Sequence, residues 1–334
     1  MTVLYPWQTD SWRSLLGLRN RLPHALLLKG AQGIGKFDLA MQFAQSLLCE
    51  SPQEEDGFAC QHCMSCHWFT NNAHPDFRLI QPEVLEQTEE ISKKPSQEIS
   101  VVKIRELSDF NNLSSHRGGY RIVLLHPAEA MNANSANALL KVLEEPTEKL
   151  LFILVTHKPQ QLLPTILSRC ISLAIQTPSV ETGLAWLKEQ GVTHPENMLS
   201  NSGFSPLRAL QLAGVGEAMD EGYTTLVHAI RQPQQINPIV LAEQLQSTPP
   251  FQIIQCMQQW CHDLASFRLA GMVRYFPDQS DLIKKLSGHL SLTMLLRYQK
   301  DLLVAKREAF HPLNQKLLIE SILIAYRQIF LAKG

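Results

Sequence analysis

A chain of 334 residues, 45% of them apolar, is long enough for two or three domains with packed cores. Its 30 basic and 31 acidic residues leave a formal net charge of −1, which excludes binding to nucleic acid or acidic lipid through overall charge and leaves only local basic patches for that work. No apolar run approaches the ~18 residues that span a bilayer. The opening Met1-Thr2-Val3-Leu4-Tyr5-Pro6-Trp7 lacks the basic start and apolar centre of a secretory leader, so the sequence reads as a soluble, cytoplasmic protein.

The first predicted elements carry the first chemistry. His24-Ala25-Leu26-Leu27-Leu28 is a short apolar run, as a buried parallel strand requires. Gly30-Ala31-Gln32-Gly33-Ile34-Gly35-Lys36-Phe37 follows. In the pattern G-x-x-x-x-G-K-[ST], backbone N–H groups cradle two phosphates, the lysine adds a point charge, and the final hydroxyl holds magnesium. Gly30, Gly33, Gly35 and Lys36 keep that frame, but Phe37 stands where the hydroxyl belongs. A benzyl group offers nothing to a hard cation that takes oxygen ligands. Leu39, Phe43 and Leu47, flanked by Ala40, Ala44 and Leu48, then share one helical stripe. The plainer reading is a glycine turn between a strand and a helix, which would not account for Lys36.

Cys49, Cys60, Cys63 and Cys66 come next, spaced C-x10-C-x2-C-x2-C. Two successive C-x2-C turns bring three thiolates to one side of the backbone, and Cys49, at the end of the P-loop helix, supplies a fourth. Four thiolates suit a closed tetrahedral zinc site; a four-cysteine iron–sulfur cluster fits the same count. The odd total of seven cysteines and the cytosolic character weigh against disulfides. His62, His67 and His74 lie close enough in sequence to stand in as a ligand. Cys170, Cys256 and Cys261 are isolated and read as small buried apolar residues.

Phe77-Arg78-Leu79-Ile80 predicts another strand, and the polar, mixed-charge stretch 81–100 reads as a long exposed loop. Arg121-Ile122-Val123-Leu124-Leu125 is the strand whose end should carry the magnesium-holding acid and the carboxylate that activates water. It ends instead in His126-Pro127, and Glu129, two residues on at a predicted helix start, is poorly placed as a replacement. A helix over 132–146 is predicted to stop at Pro146. Leu151–Val155 and Ile171–Ile175 predict two further strands, separated by Leu163-Pro164-Thr165-Ile166-Leu167-Ser168-Arg169-Cys170. Strands alternating with helices indicate a mostly parallel sheet covered on both faces. The C-terminal third has no catalytic constellation. Leu313, Leu317, Leu318, Ile322, Leu323, Tyr326 and Ile329 form one apolar helical stripe, Leu295, Leu302 and Leu303 another, and Trp260–Phe267 is also helical.

The P-loop, the four-cysteine insert behind its helix, Asn137-Ala138-Leu139-Leu140-Lys141-Val142-Leu143-Glu144-Glu145-Pro146 and Ser168-Arg169-Cys170 together resemble the bacterial clamp-loader subunits. The likeness covers the whole chain and is strongest in the first half. It implies an α/β AAA+ P-loop core with a parallel sheet over 1–166, including a zinc-binding insert at 49–66. A small helical lid over 167–207 and an all-α collar over 208–334, through which five subunits form a ring, would follow. Motor subunits of that family (gamma/tau) carry a P-loop threonine and an Asp-Glu pair. Phe37 and His126-Pro127 stand in their places here, so the chain resembles the family's non-hydrolysing member, as does Tyr5-Pro6-Trp7. Weak or no ATP binding at Gly30, Gly33, Gly35 and Lys36 is expected. Arg169 would act in trans on ATP held by a neighbouring motor subunit, the alternative being a salt bridge at a domain interface. Thr156 matches the position of a γ-phosphate sensor, vestigial where the magnesium ligands are missing, and Arg208 lies near the lid arginine without being assigned to it. The implied partners are the motor subunits and the delta subunit, with the sliding clamp and primed DNA reached through the complex. The alternatives are an active ATPase motor of the same family and a stand-alone zinc-containing nucleotide-binding module.

Overall fold

The computed structural model describes residues 4–86, 95–112, 115, 119–193, 195–214, 217–308 and 314–331. The opening Met1-Thr2-Val3, the middle of the expected 81–100 loop and Leu313 of the C-terminal stripe lie outside them. The chain divides into two compact units, Met1–Thr182 and Gly183–Gly334.

The first unit runs α1 (Thr9–Gly17), β1 (Ala25–Lys29), α2 (Lys36–Leu48), α3 (Met64–Thr70), β2 (Phe77–Ile80), α4 (Val101–Asn112), β3 (Arg121–Leu125), α5 (Ala133–Glu144), β4 (Leu150–Thr156), α6 (Pro164–Leu167) and β5 (Ile171–Ala174). All five strands are parallel, in the order β2-β3-β4-β1-β5. Alternate side chains go to opposite faces, as the two-residue period of a strand dictates. Leu26, Leu28, Ile122, Leu124, Ile153 and Val155 face α1, α2 and α3. Ala25, Leu27, Val123, Leu125, Phe152 and Leu154 face α4, α5 and α6. A strand covered on both sides has no polar face to spare, which is why β1, β3 and β4 read as unbroken apolar runs. This is the expected α/β arrangement with a parallel sheet, with the P-loop strand inside it.

Three details differ from the expectations. The sheet continues past residue 166 because β5 pairs with β1 (Leu26 opposite Ile171, Lys29 opposite Ala174). As an edge strand β5 is largely solvent-facing, Ile171 being 52% exposed. The 81–100 segment is not simply exposed: Ile99 is fully buried, its N–H donates to the Ala130 carbonyl, and a 3-10 turn forms at Glu83–Leu85. Helix α5 starts where Asn132 caps it, accepting from the Ser135 N–H at 3.0 Å, and ends two residues before Pro146.

The second unit is helical: α7 (Val180–Glu189, which begins at the unit border), α8 (Pro195–Asn201), α9 (Pro206–Gly214), α10 (Glu217–Ile230), α11 (Pro238–Gln244), α12 (Pro250–Ala270), α13 (Ser280–Gly288), α14 (Leu292–Glu308) and α15 (Gln315–Leu331). Helix α12 is the axis. Ile253, Ile254, Met257, Trp260, Cys261 and Leu264 are buried against side chains of α10, α11, α14 and α15. Burial pushes the Cys256 thiol up to about 12 and Cys261 higher still, as inert core cysteines. Leu295, Leu302, Ile322 and Tyr326 are core as expected, whereas Leu303 and Leu317 face solvent at 57% and 60% exposure. No helix among the described residues is long and apolar enough to cross a membrane.

Two buried polar arrangements tie this unit together. The Asp263 carboxylate, fully buried, accepts the N–H groups of Arg274, Tyr275 and Phe276 at 2.7–3.0 Å and so fixes the turn after α12. The Trp260 indole donates to the Tyr326 hydroxyl at 2.8 Å, which donates to the Ile230 carbonyl at 2.8 Å, joining α12, α15 and α10. Removing only that hydroxyl strands a buried donor and a buried acceptor, and such a loss costs about 1–3 kcal/mol. Tyr326→Phe should therefore lower the free energy of unfolding measured in urea by that amount, and with it the midpoint, while preserving the helical circular dichroism. An unchanged midpoint would contradict the assignment.

Candidate functional site

The parallel sheet brings the ends of β1, β3 and β4 together, and the residues singled out in the sequence meet there. After β1 the chain passes Gly30, Gly33 and Gly35 into α2. Gly33 and Gly35 have φ of 77° and 79°, the left-handed region that favours glycine. At Gly30 a Cβ would lie 2.5 Å from the Ile175 carbonyl oxygen, so only glycine lets β1 leave the sheet here. The P-loop frame is thus formed. Lys36 is buried at 2% exposure and turns back onto the loop, donating to the carbonyls of Gly30 (2.9 Å) and Ala31 (2.5 Å). Burial lowers its pKa to about 8, partly opposed by the nearby Glu129 charge.

The segment before α1 clamps this loop, a feature that sequence reasoning missed. Gln8 donates to the carbonyls of Ile34 (3.0 Å) and Gly35 (2.7 Å), and the Trp7 indole donates to Ile34 at 3.0 Å. Tyr5 stacks on Trp7 and donates to the Asp38 carboxylate at 3.1 Å. Its ring would stand 2.5 Å from a Cβ at Gly35. Burial, followed by the Asp38 charge, raises the Tyr5 pKa strongly. The only hint in the sequence is that polar Gln8 lies beside Tyr5-Pro6-Trp7.

Where an ATPase would place oxygen ligands for magnesium, three rings pack together. Phe37 lies 4.5 Å from His126 between centroids, and His126 meets His157 edge-on at 5.4 Å. Gln81 donates to His126 Nδ1 at 3.2 Å. Burial lowers both histidines to about 4, helped at His126 by His157 and at His157 by Lys36, so both are neutral near pH 7. Glu129 lies in a 3-10 turn rather than at a helix start. Its carboxylate accepts from Thr156 Oγ1 at 2.7 Å and from the His157 N–H at 3.0 Å, so it fastens the turn after β3 to the end of β4. Thr156 itself is fully buried.

Arg169 lies just past α6. Its side chain is one-third exposed and pairs with Glu144 at 2.8 Å while donating to the Thr165 carbonyl at 3.0 Å. Cys170 is half-buried and its thiol is pushed up to about 11 by burial. Arg208, on α9, donates to Gln255 at 3.2 Å, and burial lowers its pKa.

The four cysteines do converge. Their sulfurs all lie within 4.8 Å of one another, with Cys49–Cys63 at 3.9 Å and Cys60–Cys66 at 4.0 Å. A tetrahedron of thiolates ~2.3 Å from zinc has edges of about 3.8 Å, so the donor set could hold such an ion. Backbone groups support the sulfurs: Cys60 N–H donates to Cys49 Sγ and Cys66 N–H to Cys63 Sγ, which caps α3. His62 and His67 are exposed and His74 is not a fifth donor. His74 Nδ1 accepts the Asp76 N–H, so Nε2 carries the proton toward Ser65, which in turn donates to the Leu48 carbonyl. The insert is docked on α1 through the Trp12 indole, which donates to the Asp56 carbonyl and stacks on Phe58 at 4.7 Å.

Comparison with known proteins agrees along the chain. Residues 13–179 match the family described as DNA polymerase III, delta subunit, and residues 220–328 match its C-terminal counterpart. The chain is 36% identical to DNA polymerase III subunit delta′ of Pseudomonas aeruginosa, over 98% of this chain and 99% of that protein. It is 28% identical to the delta′ subunit of Yersinia pestis, over 96% and 95%. Among solved structures, a DNA polymerase III gamma subunit-related protein of Thermotoga maritima aligns over 96% of this chain and 99% of that one, with TM-score 0.47 and 18% identity.

The neutral histidines carry a pH signature. Between about 4 and the ordinary histidine value near 6.5, the folded chain binds fewer protons than the unfolded one, so stability is lost as pH falls through that window. His126→Phe keeps a ring against Phe37 and removes one of the two groups. The fall in unfolding free energy between pH 6.5 and pH 4.5 should become shallower by at most about 1.4 kcal/mol per pH unit. Identical slopes for the two proteins would show that His126 is not held neutral.

Proposed function

The chain belongs to the DNA polymerase III delta′-subunit family, and on that premise we propose that it is the non-hydrolysing ring subunit of a clamp loader. In this role it is a component of the DNA polymerase III holoenzyme and works in the cytoplasm as a rigid stator beside the gamma/tau motor subunits and the delta subunit. The complex opens a sliding clamp and places it on primed DNA. The observation that carries the non-hydrolysing reading is the ring cluster Phe37–His126–His157 at the mouth of the P-loop. A hard divalent cation takes oxygen ligands. Glu129, the nearest carboxylate on these turns, is already committed to Thr156 and the His157 backbone. With Lys36 turned onto loop carbonyls, Gly30, Gly33, Gly35 and Lys36 bind ATP weakly or not at all, and they act as a structural remnant of the nucleotide site.

Arg169 is the group this subunit contributes to chemistry. A guanidinium offered in trans stabilises charge on a transferring γ-phosphoryl group. Its position past a helix anchored by fully buried Ile166, with the side chain part-exposed, supports that role. Cys49, Cys60, Cys63 and Cys66 hold a structural zinc ion that staples a segment too short and polar to fold alone. Within residues 183–334 we assign a small helical lid up to residue 207 and a collar from 208. The collar reading is supported by exposed apolar residues at seven-residue spacing, Leu317, Ile324 and Leu331 on α15 and Leu296 and Leu303 on α14. A stripe with that period suits packing against helices of another subunit.

Two experiments check these assignments. In a loader reconstituted with clamp and primed DNA, Arg169→Ala should leave the ring assembled and slow hydrolysis at the neighbouring site roughly tenfold or more. A wild-type rate would remove Arg169 from the chemistry. Metal analysis of the purified chain should find about one zinc per chain, lost in Cys60→Ser/Cys63→Ser together with a lowered melting temperature. Equal metal content in the two proteins would refute the site.

A further inference from the structure

We propose that Glu144 is the positioning residue for Arg169, holding its guanidinium in the orientation from which it reaches a neighbouring subunit's ATP; this rests on the trans role assigned to Arg169 above. The observation that calls for explanation is the end of α5. Glu144 is its last residue and Glu145 its cap. Two carboxylates at the negative end of a helix dipole are unfavourable unless a cation answers them. Lys141 lies in the same last turn, but the Glu144 carboxylate pairs with Arg169 at 2.8 Å.

The geometry around Arg169 is that of a held group rather than a loose surface chain. Its backbone is fixed by α6, where the Arg169 N–H donates to the Ile166 carbonyl and Ile166 is fully buried. One guanidinium nitrogen, Nη1, donates to the Thr165 carbonyl at 3.0 Å, and the other, Nη2, to Glu144 Oε1 at 2.8 Å. Arginine carries five N–H donors in a rigid plane, so two fixed bonds orient the plane and leave three donors for phosphoryl oxygens. The pair is half-exposed on the glutamate side, where an ion pair contributes little to fold stability. Its value lies in ordering a flexible side chain before it meets its target, a cost otherwise met on engagement.

The test is a double-mutant cycle in the reconstituted loader, with kcat and KM for ATP measured separately in the presence of clamp and primed DNA. Glu144→Ala should lower kcat about two- to tenfold, with KM and ring assembly unchanged, because only the ordering of the guanidinium is lost. Glu144→Gln, which still offers an oxygen to Nη2, should recover part of that loss. In an Arg169→Ala background, Glu144→Ala should have no further effect. A slow Arg169→Ala loader combined with an unaffected or faster Glu144→Ala loader would overturn the positioning role and leave the trans role of Arg169 standing. A full Glu144→Ala loss persisting in the Arg169→Ala background would also overturn it. A wild-type rate for Arg169→Ala would refute the trans role and the positioning role together.

Discussion

A hard cation needs oxygen ligands, and the turns that converge at the mouth of this P-loop present rings instead. Phe37, His126 and His157 come from the starts or ends of three different elements, yet His126 packs against both of the others, 4.5 Å from Phe37 and 5.4 Å from His157. Their contact makes the substitutions interdependent. A hydroxyl at position 37 alone would leave His126-Pro127 in place of the acid pair; acids at 126 and 127 alone would stand against a benzyl ring. The rest of the site follows the same logic. Glu129 braces Thr156, and Lys36 donates to the carbonyls of Gly30 and Ala31.

That arrangement depends on the parallel sheet. Parallel strands put all their C-terminal ends on one edge, and the loops leaving β1, β3 and β4 must therefore meet. Two of the P-loop glycines serve packing: Gly35 accommodates the Tyr5 ring and Gly30 the Ile175 carbonyl. The clamp formed by Tyr5, Trp7 and Gln8 adds four hydrogen bonds to the loop and to the first turn of α2. A phosphate loop held this firmly suits the stator role proposed above. The cysteine cluster lies at the other end of α2, where Cys49 is the helix cap.

Much of this was legible in the sequence because the chemistry was encoded in spacing. The glycines and Lys36, the C-x2-C repeats, the displaced Phe37 and the His126-Pro127 pair all carry meaning at fixed offsets, and the apolar runs of β1, β3 and β4 follow from burial on both faces. What was not legible depends on three-dimensional neighbours. Gln8 is unremarkable until it lies under the Gly35 carbonyl. Ile99, in a polar stretch, is buried only because that segment bridges to Met131. Helix α3 is only seven residues long, and α4 buries little beyond Ile104, Leu107 and Phe110, so neither stands out from its flanks in the sequence. Leu303 and Leu317 fit the heptad stripes of a core and yet face outward, because one stripe cannot reveal which side its partner occupies. The Glu144–Arg169 bridge spans 25 residues and has no signature in either segment.

Steady-state ATP hydrolysis by the purified chain decides whether this P-loop still runs an ATPase cycle. The chain alone, with magnesium and ATP, should show no turnover above that of Lys36→Ala. Turnover that disappears in Lys36→Ala would mean that the Phe37–His126–His157 cluster still admits a catalytic cation, and that the chain is a motor rather than a stator.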